Sequence, residues 1–137
     1  MLKVVIDTNV FISGLLNSPS CRYIIKLLGA AKLTLIISPW ILDELIGVIS
    51  RPKFRNAITR ETAEKIIEMI SIQAVLVNPS REFDVIEDDP ADNRFIDAAI
   101  EANADFIISG DRHLLDLKTF HDIRVITPAQ FLKTLKR

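Results

Sequence analysis

At 137 residues the chain has the size of one domain, read here as a single unit over 1–137, and can bury a sizeable core. Hydrophobic residues make up 49% and charged residues 26%, which excludes a disordered chain, and no apolar run nears the roughly 18 residues needed to cross a bilayer. A net charge of −1 excludes nucleic-acid binding through bulk charge, and a single cysteine excludes a disulfide framework, so no membrane role and a reducing cytoplasm are expected.

Leu2 to Ile6 is almost unbroken apolar residues and ends in Asp7, Thr8 and Asn9, the pattern of a strand buried on both faces of a parallel sheet. A helix is expected over Asn9–Leu16, then a turn at Asn17-Ser18-Pro19-Ser20, with Ser20 capping a helix that ends at Gly29. Cys21 is read as a packing residue of that helix. Lys32–Ile37 reads as the second strand. Ser38-Pro39 opens a helix carrying Ile41, Leu45 and Val48 on one stripe, interrupted at Arg51-Pro52-Lys53-Phe54-Arg55. A helix from Thr59 or Arg60 to Ser71 leads to a third strand, Ala74–Val77. Asn78–Asp89 is polar and acidic, a loop with a short strand near Asp84–Ile86. Asp89-Pro90 opens a helix to Ala102, Phe106–Ser109 is the fourth strand, Arg112–Leu117 a short helix, Arg124–Ile126 the fifth strand, and Thr127-Pro128 caps the last helix. Alternation of strands and helices implies an α/β fold: a three-layer α/β/α sandwich around a parallel sheet of four or five strands.

Four carboxylates fall in unusual places. Asp7 and Asp111 each end an apolar strand, Asp111 after Ile107-Ile108-Ser109-Gly110. Glu44 shares the apolar stripe of Ile41, Leu45 and Val48. Asp92 shares that of Phe95, Ile96 and Ala99. Each has a plainer reading: a helix cap for Asp7 and Asp111, contact with a helix N-terminus for Asp92, and an edge position or arginine partner for Glu44. Asp97 is read as a surface residue, and so are His113 and His121. In a parallel α/β sheet, strand ends and helix starts meet at one edge. Two charges about 4 Å apart there repel by roughly 4 kcal/mol at an effective dielectric near 20. A dication removes that conflict, and oxygen donors select a hard ion, Mg2+ or Mn2+, as one or two ions. Such a centre suits phosphodiester hydrolysis. Asp7, Glu44, Asp92 and Asp111 would hold metal and carry catalysis, Asn9 and Ser109 would orient ligands or water, and Arg51, Lys53, Arg55 and Arg112 would contact the substrate backbone.

Val5-Ile6-Asp7-Thr8-Asn9, Leu42-Asp43-Glu44-Leu45, Asp89-Pro90-Ala91-Asp92-Asn93 and Ile108-Ser109-Gly110-Asp111-Arg112-His113-Leu114-Leu115 occur in the order found in PIN domains. The chain resembles that family, in particular the stand-alone prokaryotic members related to VapC-type toxins. The resemblance implies a Mg2+- or Mn2+-dependent endoribonuclease acting on single-stranded RNA, with Asp7, Glu44, Asp92 and Asp111 as its acidic residues and Asn9 and Ser109 as neighbours. It also implies homodimers and, in toxin–antitoxin pairs, a partner peptide that covers the site. Many toxin relatives carry threonine where this chain has Ser109. A PIN-like module that binds RNA or protein without cutting is the alternative. A dehalogenase-like phosphatase would want a second aspartate at Asn9, and a receiver domain would want a phosphoacceptor near Val77-Asn78-Pro79.

Overall fold

The structure is a computed structural model that describes residues 1–136. The first strand, β1 (Lys3–Ile6), runs into α1 (Thr8–Leu16) and α2 (Pro19–Gly29). Then come β2 (Thr34–Ile37), α3 (Pro39–Ile49), a 3-10 turn at Pro52–Phe54, α4 (Arg60–Gln73) and β3 (Val75–Leu76). A long loop leads to a second 3-10 turn, Pro90–Asp92, and to α5 (Asn93–Ala102). The chain continues as β4 (Phe106–Ile108), α6 (Arg112–Leu115), β5 (Thr119–Phe120), β6 (Ile123–Ile126) and α7 (Pro128–Leu135).

The strand order is β3-β2-β1-β4-β6-β5. Five strands are parallel, as the sequence predicts, and β5 adds an antiparallel edge. Val4, Val5 and Ile6 are successive and all buried, so the sheet is covered on both faces. Order reverses at β1, which pairs with β2 on one side and with β4 on the other, Ile6 opposite Ile108. The main core runs from Val4 and Ile24 through Leu45 and Ile96 to Phe131. A smaller core of Ile12, Val48, Ile49 and Ile58 joins α1 to α3.

Three local expectations give way. Ser18, not Ser20, caps α2, its hydroxyl accepting the Cys21 N–H at 3.2 Å, because Pro19 is pre-set for the first helical position. No strand forms at Asp84–Ile86; the Val85 and Ile86 N–H groups go to the Asn93 side chain. The strand β5 arises from a hairpin whose turn residues His121 and Asp122 have φ of 49° and 68°, a turn with no glycine to announce it. Cys21 is buried, as expected of a packing residue. Where α1 and α2 meet, a Cβ on Gly14 would lie 3.0 Å from the Cys21 backbone and 2.6 Å from the end of the Ile25 side chain, so any larger residue would press the helices apart by a few tenths of an ångström.

Candidate functional site

The reversal at β1 sets the ends of β1 and β4 side by side, where ligands gather in open α/β sheets. The Asp7 N–H donates to the Ile108 carbonyl at 3.0 Å. Ser109, fully buried, donates its hydroxyl to Asp7 Oδ2 at 2.7 Å and accepts the Asp111 N–H at 2.9 Å. One hydroxyl thus links the Asp7 carboxylate to the backbone at Asp111. Asp7 and Asp111 also cap helices: Asp7 Oδ1 accepts the Asn9 N–H at 3.3 Å and Asp111 Oδ1 the His113 N–H at 2.7 Å. The plain and the functional readings of these two residues therefore hold together.

Asp92 enters on the 3-10 turn that feeds α5. It is 7% exposed, and its Oδ2 finds no donor among the described residues. Burial pushes its carboxyl up to about 7, with the charges of Asp111, Asp89 and Asp7 adding to the effect. Asp7 is also raised, first by burial; Ser109 and Asn9 oppose the shift, and Asp111 and Glu44 add to it. Glu44 is half-buried on α3 and acts on Asp7 through its charge. The charges of Asp7, Asp92 and Asp111 act on one another and that of Glu44 reaches Asp7, whereas ligand atoms within 4.8 Å of one another come from Asp92 and Asp111, without Asp7 or Glu44. Such crowding of like charge is costly without a counter-charge.

Sequence reasoning passed over two residues here. His113 is exposed, as expected, yet its ring faces the site: Asp92, Asp111 and His113 each offer a ligand atom, all within 4.8 Å of one another. A histidine two positions after a strand-end aspartate was the available signal. Asp97 is buried instead of lying on the surface. It accepts the Phe83 N–H at 2.7 Å and pairs with Arg94 at 2.8 Å, because the loop after β3 covers that side of α5. Burial raises its carboxyl while Phe83 and Arg94 pull it down.

Asn9 is exposed and lines a cleft of about 370 Å³ with Ser13, Asn17, Gly110 and Thr127. Arg51, Lys53, Arg55 and Arg112 are exposed and form no ion pair among the described residues. The first three sit around the 3-10 turn after α3, where Lys53 lies 5.1 Å over the Phe54 ring; Arg112 follows Asp111 directly. No helix among the described residues is long and apolar enough to cross a membrane.

A family model described as PIN domain matches residues 3–113. An uncharacterised protein of Methanocaldococcus jannaschii, MJ1680, is 35% identical over 146 aligned positions, covering 99% of this chain and 93% of that protein. Among solved structures, VapBC2 from Rickettsia felis, bound to a DNA fragment from its promoter, superposes with a TM-score of 0.59. It covers 92% of this chain and 98% of the solved chain at 16% identity, a likeness of fold.

Proposed function

Because the chain belongs to the PIN domain family, as the match over residues 3–113 establishes, we propose that it is a divalent-metal-dependent endoribonuclease that hydrolyses phosphodiester bonds of single-stranded RNA. One observation carries this reading. Asp92 Oδ2 is buried beside a second carboxylate with no donor among the described residues, a group that a cation would satisfy. The donor set fits Mg2+ or Mn2+, one or two ions, because Asp7, Glu44, Asp92 and Asp111 offer oxygen. A bound dication would supply the charge that polarises a phosphoryl oxygen and acidifies an attacking water.

The remaining work belongs to the chain. Ser109 orients the Asp7 carboxylate through a bond of 2.7 Å and anchors the Asp111 backbone through one of 2.9 Å, while the His113 N–H orients the Asp111 carboxylate, so the two need little reordering when substrate arrives. Asn9, exposed at the rim of the cleft, orients substrate or water there. Arg51, Lys53, Arg55 and Arg112 contact phosphates, which positions an RNA strand without reading its sequence. We further propose a cytoplasmic homodimer, and a toxin role in which an antitoxin peptide covers the site; the likeness in fold to the VapBC2 structure is the support for a partner of that kind.

Asp7→Asn keeps the shape of the side chain and removes its charge. The purified variant, shown folded by circular dichroism, is expected to cleave single-stranded RNA at least about 100-fold more slowly than the parent in Mg2+ and in Mn2+. Undiminished cleavage would overturn the assignment, and RNA binding without cleavage by the parent would favour a silent binding module.

A further inference from the structure

We propose that His113 is a nitrogen ligand of this metal centre, beside Asp92 and Asp111, with Asp88 orienting its ring, so that the centre prefers Mn2+ to Mg2+. The inference rests on reading the carboxylates as a metal centre and goes beyond it, since that reading uses oxygen donors alone. The geometry begins with Asp111. Its Oδ1 is occupied by the His113 N–H at 2.7 Å, and that bond closes the turn which folds the imidazole back toward the carboxylate. The ring then has Nδ1 3.5 Å from Asp111 Oδ1 and Nε2 3.7 Å from Asp88 Oδ2. Both distances are too long for hydrogen bonds, so neither nitrogen has a hydrogen-bond partner among the described residues.

Ligand atoms of Asp92, Asp111 and His113 lie within 4.8 Å of one another. Two atoms bound to one ion at about 2.0–2.2 Å can stand no more than about 4.4 Å apart. Closing the set takes a shift of an ångström or so. His113 can make it, because its side chain is 43% exposed and not packed in place. A second observation is Asp92 itself, more than nine-tenths buried, with an oxygen that has no donor among the described residues. Asp88 stands 3.7 Å from the far nitrogen, and the same small movement of the ring would bring it to where a carboxylate fixes the tautomer and direction of a metal-bound histidine. Mg2+ takes oxygen ligands and dehydrates reluctantly, whereas affinity for a nitrogen donor rises along the transition series. Exchanging one oxygen for imidazole therefore shifts preference away from Mg2+.

Pulsed electron paramagnetic resonance of Mn2+ bound to the full, untagged chain reads the ligand directly. Modulation from a coupled 14N nucleus is expected in the parent and in His121→Gln, and is expected to vanish in His113→Gln. Titration calorimetry should show Mn2+ bound at least about tenfold tighter than Mg2+, with His113→Gln losing about tenfold for Mn2+ and little for Mg2+. Asp88→Asn should weaken Mn2+ severalfold while the 14N signal remains. Mn2+ bound without nitrogen modulation would overturn the role of His113 and leave the carboxylate centre standing. Failure of Mn2+ to bind at all would remove both.

Discussion

Ser109 donates to Asp7, so Asp7 is buried yet has a partner on each oxygen. Asp92 is buried with one oxygen unmatched, and its carboxyl rises to about 7. The consequence is a pH-dependent cost. In divalent-free buffer, between the ordinary aspartate value and about 7, the unfolded chain has released this proton while the folded chain keeps it. The unfolded state then binds fewer protons, so stability falls as pH rises through that window and levels above about 7. The loss from this one group is of the order of 2–4 kcal/mol. Asp92→Asn removes it. Urea denaturation in EDTA at pH 5 and pH 8, which spans about two thirds of that window, should show the parent losing roughly 2–3 kcal/mol more than the variant between the two. Parallel behaviour of parent and variant would mean that Asp92 ionises normally. The inward placement of Asp92 was legible, because it continues the stripe of Phe95, Ile96 and Ala99, all of them buried. The direction of His113 was not, because a ring two residues past a cap is aimed by the turn and not by any periodicity.

At the scale of elements, Asn93 controls how the acids reach the site. Its side chain is fully buried and uses its full set of hydrogen bonds: it accepts from Val85 and Ile86 N–H at 2.9 and 3.0 Å and donates to the Ile86 and Pro90 carbonyls at 2.9 and 3.0 Å. These four bonds stand in for a strand ladder. They pin the loop that presents Asp88 and Asp89, and the turn that presents Asp92. Asn93→Ala strips all four partners, two of them at the buried Ile86, at a cost of roughly 2–4 kcal/mol. Chemical denaturation should show that loss, and hydrogen exchange should show faster exchange at Val85 and Ile86 with β1 and β4 unaffected. Unchanged protection of those two amides would refute the pinning. This loop also marks where the sequence stops being readable. Buried strands such as Val4–Ile6 and Phe106–Ile108 declare themselves as apolar runs. A loop held by side chain–backbone bonds carries no period, which is why a strand was expected at Asp84–Ile86 and why Asp97, beneath the loop, looked like a surface residue.

At the scale of the molecule, the sheet order sets the ends of β1 and β4, and with them Asp7 and Asp111, at one edge, and the alternation of strands and helices was enough to foresee such an edge. What the alternation could not convey is the serine that links the end of β1 to the backbone just after β4. Repulsion among Asp7, Asp92, Asp111 and Glu44 is a cost that the whole fold bears. A ligand that binds only the folded state repays it by mass action: at 100 times its dissociation constant, a dication adds about 2.7 kcal/mol. For 137 residues, with an unfolding entropy of about 2.1 cal/mol/K per residue, that stabilisation raises the melting temperature by roughly 6–10 °C. Asp7→Asn/Asp111→Asn removes two of the charges while retaining side chains that can cap α1 and α6. In EDTA at pH 8 the double variant should melt above the parent, because the repulsion is gone, and added Mn2+ should leave it unmoved. The parent should start lower and climb with Mn2+ until it meets or passes the variant. A parent that melts at the same temperature in Mn2+ and in EDTA would mean that the carboxylates hold no ion, and their burial would then need another cause.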